Sequence, residues 1–171
     1  MSTRIHNNPE RSVALPMAYL ITFACYGTNL HGDEAGSIDR HHNIPLTPLL
    51  PSNPRLWQAE RARMRQAPYR LDDCRRQVVL DAFHEVCECR GWELAAVHVR
   101  ETHVHLVLHA LEAPEKVMLT LKAYATRKLN QAKLDSRDRK RWTRHGSTQA
   151  GGRRGRYTLC DLRAGRTDGG I

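Results

Sequence analysis

The run E-T-H-V-H-L-V-L-H-A, residues 101–110, constrains the fold more than any other stretch, because its side chains repeat with a period of two. In a β-strand successive side chains point to opposite faces. Val104, Leu106, Leu108 and Ala110 therefore share one face, and His103, His105, Val107 and His109 share the other. The first set is a core face. On the second, two imidazoles at positions i and i+2 stand side by side, about the separation at which both can ligate one divalent ion. Taken alone, H-x-H on a strand serves equally as a polar sheet face without metal. His109 lies ~13 Å from His105 along a strand rising ~3.3 Å per residue, and reads as a sheet-face residue.

The rest of the chain supplies partners for this strand. Met17 to Tyr26, M-A-Y-L-I-T-F-A-C-Y, is rich in β-branched and aromatic residues, stops at Gly27, and reads as a core strand. Gly27 to Pro54 holds three glycines and four prolines and reads as a long surface loop. Residues 55–70 carry Arg55, Arg61, Arg63, Arg65 and Arg70 with Trp57 and Tyr69, which suits either phosphate contacts or a solvated basic helix. A helix capped by Asp72 or Asp73 is predicted to run to Arg90, with Val79, Phe83 and Val86 on one face and Gly91 ending it. Trp92 to Arg100 reads as a strand joined to 103–110 by a tight connection, making a hairpin that includes His98 as a structural residue. Pro114 opens a second helix of about 18 residues, with Val117, Leu121, Tyr124, Ala125 and Leu129 at helical spacing. Lys122, Arg127 and Lys128 fall on its exposed side.

Charge points to the partner class. Lys and Arg number 27 against 18 Asp and Glu, a net charge of +9, which favours a polyanion and nucleic acid first. Between Arg127 and Arg144 eight basic residues, Arg141 among them, face only Asp135 and Asp138, with Trp142 interspersed. That mixture suits a phosphate backbone and a stacked base. The five cysteines, Cys25, Cys74, Cys87, Cys89 and Cys160, make no C-x-x-C pair, so a reduced, cytoplasmic protein is expected. No apolar run approaches the roughly 20 residues of a membrane span, and no membrane partner is expected. The length of 171 residues suits one domain. Its expected limits are residues 17–148, between a loose lead-in at 1–16 and a tail at 149–171.

Other histidine and cysteine chemistries fit less well. A histidine triad needs a third alternating histidine where Val107 stands, and two-histidine phosphoesterases need H-x-T or H-x-S twice. No cysteine sits in a Gly-rich or helix-start setting that would activate it.

In order along the chain, A-Y-L-I-T-F-A-C-Y-G-T, N-L-H-G-D-E-A-G-S, H-V-R-E-T-H-V-H-L-V-L, L-K-A-Y-A-T-R-K-L-N and R-W-T-R-H-G-S together resemble one family. It is that of the IS200-like single-strand transposases with a His-hydrophobic-His motif, and their domesticated relatives, the REP-associated tyrosine transposases. The resemblance covers about residues 17–148. It implies an α+β fold, a ferredoxin-like or RRM-like antiparallel sheet with helices packed on one face. It further implies single-stranded or hairpin DNA as partner, a homodimer, and Mg²⁺ or Mn²⁺ held by His103, His105 and a third polar side chain. Lys122, Tyr124, Arg127, Lys128, Arg141 and Trp142 become the candidate DNA-binding residues. In the family a tyrosine attacks the metal-polarised phosphate, leaving a 5′-phosphotyrosine and a free 3′-OH. A replication-initiator or relaxase nuclease shares the histidine motif, but G-T-N-L-H-G-D-E and R-W-T-R-H-G-S look like the transposases.

The nucleophile is where the match breaks. In the family it lies on a helix after R-W-x-x-H-G-S, whereas here that element leads into a Gly/Arg-rich stretch whose only tyrosine is Tyr157. Tyr124, on the preceding helix, is the other candidate, and its spacing equally suits packing or a DNA contact. Read one base along with permitted codon choices, Cys160 to Gly169 gives A-I-Y-E-Q-G-E-P-M-A, which resembles the family's tyrosine-containing ending. A disordered or frameshifted tail is therefore expected. So is either a strand transferase or a relic that grips DNA without cutting it.

Overall fold

The structure, a computed structural model, describes residues 17–28, 30–34 and 51–151. Among them the chain forms β1 (Met17–Ala24), α1 (Pro54–Ala62), α2 (Asp73–Arg90), β2 (Glu93–Val99), β3 (His103–Ala110), α3 (Pro114–Gln131) and β4 (Ser147–Gly151). The strands pair antiparallel in the order β2-β3-β1-β4. With α2 ahead of the hairpin and α3 ahead of β4, this is the split β-α-β arrangement of the ferredoxin-like class. The expected α+β architecture is the one observed.

Local chemistry explains the two long helices. The Asp72 carboxylate accepts a hydrogen bond from the Arg75 backbone N–H at 2.8 Å, satisfying a donor that the first turn of α2 leaves unpaired. Gly91 ends the helix in the left-handed region at φ 64°, where a side chain would be strained. In α3, Pro114 sits in the first turn, where its missing N–H costs nothing. Both helices cover the same face of the sheet. Val79, Phe83 and Val86 of α2 and Val117, Leu121 and Leu129 of α3 join Ile21, Phe23, Val104, Leu106 and Leu108 in one core. Full burial of each large side chain is worth roughly 1.5–3 kcal/mol. Phe23 and Phe83 meet edge to face with centroids 6.3 Å apart.

A bulge between Leu94 and Ala96 sets the phase of β2. Leu94 opposes Leu108 on the core face, yet Ala96, two residues on, opposes Val107 on the other. The extra residue thereby turns His98 to the side of His105.

The structure departs from the sequence reading at one place and sharpens it at two others. Residues 149–151, assigned to the tail, belong to β4, where Gln149 pairs with Leu20 and Gly151 with Ala18. S-T-Q-A-G lacks apolar alternation, and its strand exists because β1 offers an unpaired edge beside it. Gly146 lets the chain come that close: a Cβ there would sit 2.6 Å from the Thr22 carbonyl oxygen and 2.5 Å from Met118 Sδ. Second, the basic stretch 55–70 contains α1, capped by the Asn53 side chain on the Leu56 N–H and with no buried residue, which is the solvated basic helix of the two expected alternatives. Third, the long loop has a closed mouth, because the Asn53 N–H donates to the Gly32 carbonyl at 3.1 Å. The lead-in at 1–16 and residues 152–171, with Tyr157 and the proposed frame change, lie outside the described residues.

Candidate metal centre

On the face of β3 that the helices leave uncovered, His103 and His105 stand together with ring centroids 4.7 Å apart and planes at 79°. Both are half-buried. Each ring is held by a threonine: Thr22 Oγ1 lies 2.8 Å from His105 Nδ1, and Thr102 Oγ1 lies 3.0 Å from His103 Nδ1. Thr22 reaches its partner because β1 and β3 pair with Thr22 opposite His105. His98 opposes His105 from the other side, and Ser147 opposes Thr22, so one row of polar side chains crosses all four strands.

Burial, then His103, His98 and Arg100 nearby, pull His105 down to about 4. It is neutral at physiological pH, the form in which a ring nitrogen keeps a lone pair for a metal. His109 shares the face but opposes Ala18 and Glu93, two rows away. Among the described residues no group of three His, Cys, Asp or Glu side chains could hold an ion by itself. Neither threonine was singled out in the sequence, although Thr22 is the one side chain of β1 that is neither aliphatic nor aromatic.

A family model described as transposase, IS200-like, matches residues 64–150, half of the chain. The chain belongs to the IS200-like transposase family. The matched span takes in the histidine strand, α3 and nearly all of β4, so the chain reads in the family's pattern as far as residue 150. No curated protein matches the chain. A crystal structure of a candidate transposase from Deinococcus radiodurans R1 is similar at 13% identity, covering 96% of this chain and 94% of that one with a TM-score of 0.46. Family membership gives this transposase a role in DNA transposition.

The six residues expected at DNA divide sharply. Arg141 is 2% exposed. Its guanidinium donates to the Asp135 carboxylate at 3.1 Å and to Asn130 Oδ1 at 2.8 Å, and the same carboxylate accepts from Tyr69 at 2.6 Å and from Arg75 at 2.9 Å. Lys122 is 6% exposed, its ammonium donating to the carbonyls of Thr143 and His145, and burial pushes it down to about 8. Trp142 packs edge-on against Phe23, while its Nε1–H donates to Thr126 Oγ1 at 3.0 Å. All three hold the segment between α3 and β4; the burial of Lys122 and Arg141 corrects their expected place on the DNA surface, while Trp142 is half-buried. Arg127 is exposed and Lys128 half-buried on the outer side of α3, while Tyr124 packs in part against the core. The Arg127 guanidinium lies 4.2 Å over the Tyr124 ring, and Lys128 pairs with Glu85. Beside them Arg127, Asn130, Gln131 and Arg137 line a shallow depression of about 310 Å³.

Proposed function

We propose that this transposase works on single-stranded or hairpin DNA with a divalent ion at His103 and His105. The observation that carries the reading is two adjacent imidazoles on one open sheet face, each with its Nδ1 engaged by a threonine hydroxyl. A hydrogen bond at one ring nitrogen orients the other toward a metal. Imidazole donors suit Mn²⁺ better than Mg²⁺, which favours oxygen ligands. The bound ion would supply Lewis-acid polarisation of a phosphate oxygen. The chain's own residues orient the ligands, keep His105 neutral, and draw the polyanion by net positive charge.

A second reading, a DNA-gripping platform without strand cleavage, is favoured by the placement of the described tyrosines. Tyr19 and Tyr69 are buried in the core, and Tyr26 accepts the Arg65 N–H. Tyr124 lies on α3, across the sheet from the histidines. An in-line attack needs its nucleophile about 3 Å from the phosphate, and Tyr19, Tyr69 and Tyr124 are instead packed in or against the core beneath the helices.

The deciding experiment incubates the full chain with labelled hairpin DNA and Mn²⁺ and runs a denaturing gel. A covalent adduct that disappears with His105→Ala and with Tyr157→Phe supports tyrosine strand transfer. Mn²⁺-stimulated binding that His105→Ala abolishes, without an adduct, supports the platform. DNA binding and cleavage indifferent to both histidines would remove the metal reading altogether.

A further inference from the structure

Thr22 stands apart in β1. Its neighbours on the open face are Leu20 and Ala24, and its hydroxyl bridges to a ring 83 positions later in the chain. A neutral imidazole carries one N–H and one lone pair, and the hydrogen bond at one nitrogen decides which nitrogen holds the proton. We propose that Thr22 is a positioning residue for His105: its Oγ1 accepts the Nδ1–H, so that the Nε2 lone pair is the one offered to a divalent ion. The inference rests on reading His105 as a metal ligand and adds the group that makes it competent. The geometry is set by the ladder. Eight consecutive β1–β3 pairs, Met17 opposite Ala110 through Ala24 opposite His103, fix Thr22 beside His105. A one-residue slip would carry the hydroxyl to the core face. His103 obtains its hydroxyl from Thr102, the adjacent residue, so the two rings are oriented by independent means.

The test uses the full chain labelled with ¹⁵N-histidine, first without metal and then titrated with Mn²⁺ followed by electron paramagnetic resonance. In the parent, His105 should show the Nδ1–H tautomer. Thr22→Val should lose that tautomer and bind Mn²⁺ about 10–100-fold more weakly, and Thr22→Ser should restore both. An Nε2–H tautomer in the parent overturns the proposal, and this measurement does not depend on whether the valine variant folds. Mn²⁺ affinity unchanged in a folded Thr22→Val chain overturns it as well. A parent that shows the Nδ1–H tautomer but takes up no Mn²⁺ defeats the metal reading itself, and with it any role of Thr22 toward an ion.

Discussion

Successive residues of β3 meet two environments. Val104, Leu106 and Leu108 are fully buried beneath α2 and α3, whereas His103, His105 and His109 are half-buried on the side that no described helix covers, with Val107 between them 3% exposed. On the helix side polar groups are tolerated only when paired: Arg141 and Asp135 lie in one hydrogen-bonded cluster, and Lys122 is anchored on two carbonyls. On the other side the imidazoles stand beside threonine hydroxyls, His98 and Arg100 among the described residues, with no core packed over them by the helices. A basic residue under the helices is thus part of the fold, and the same residue on an outer surface is available to DNA.

The largest test of this division is Asp135→Ala. It leaves the buried Arg141 guanidinium without its carboxylate, and removing one member of a buried pair costs about 3–5 kcal/mol. Urea denaturation should show that loss, and a change below about 1 kcal/mol would mean that the cluster is not a fold element. The parent should also weaken in acid. Burial alone would raise the Asp135 carboxyl, but hydrogen bonds from Tyr69, Arg75 and Arg141 outweigh it and hold it below its ordinary value. A depressed folded-state value gives stability that is present above the unfolded-state value and lost as pH falls through the folded one. Asp135→Ala should lack this step.

Next comes the contrast within β3. Leu106→Ala opens a cavity under both helices and should cost about 2–5 kcal/mol, while His109→Ala on the open face should stay within about 1 kcal/mol. Equal losses in thermal unfolding would mean that the second face is covered in solution.

The smallest effect concerns the outer side of α3. Arg127→Gln with Lys128→Gln should leave stability nearly unchanged and reduce the salt dependence of single-strand binding by about one unit for each phosphate no longer neutralised. Arg141 does not belong in this variant, because its loss would lower fold stability and so would not report on DNA alone. An unchanged salt slope would move the DNA surface elsewhere, with the exposed arginines of residues 55–70 the next place to look.

What the sequence could show follows the same division. Strand β3 was legible to the residue because a period of two with histidines on one phase has few other meanings, and α2 because Asp72 and Gly91 mark its ends chemically. Strand β4 was not legible, since its pairing is dictated by the free edge of β1 and not by its own side chains. The inward turn of Arg141 was hidden for a related reason. A run of basic residues looks the same whether solvated or paired, and the only local sign was Asp135, six residues earlier. Thr22 escaped notice because its importance lies in a partner 83 residues away.

The hydrogen bond from Asn53 to Gly32 fixes the distance between the end of one chain segment and the start of the next. Whatever length lies between them, β1 and α1 receive the same two anchor points. Each doubling of a flexible loop costs only about 0.6 kcal/mol in closure entropy. Seen from the sheet that carries the histidines, the intervening segment is a side excursion that leaves and returns at a single clasp.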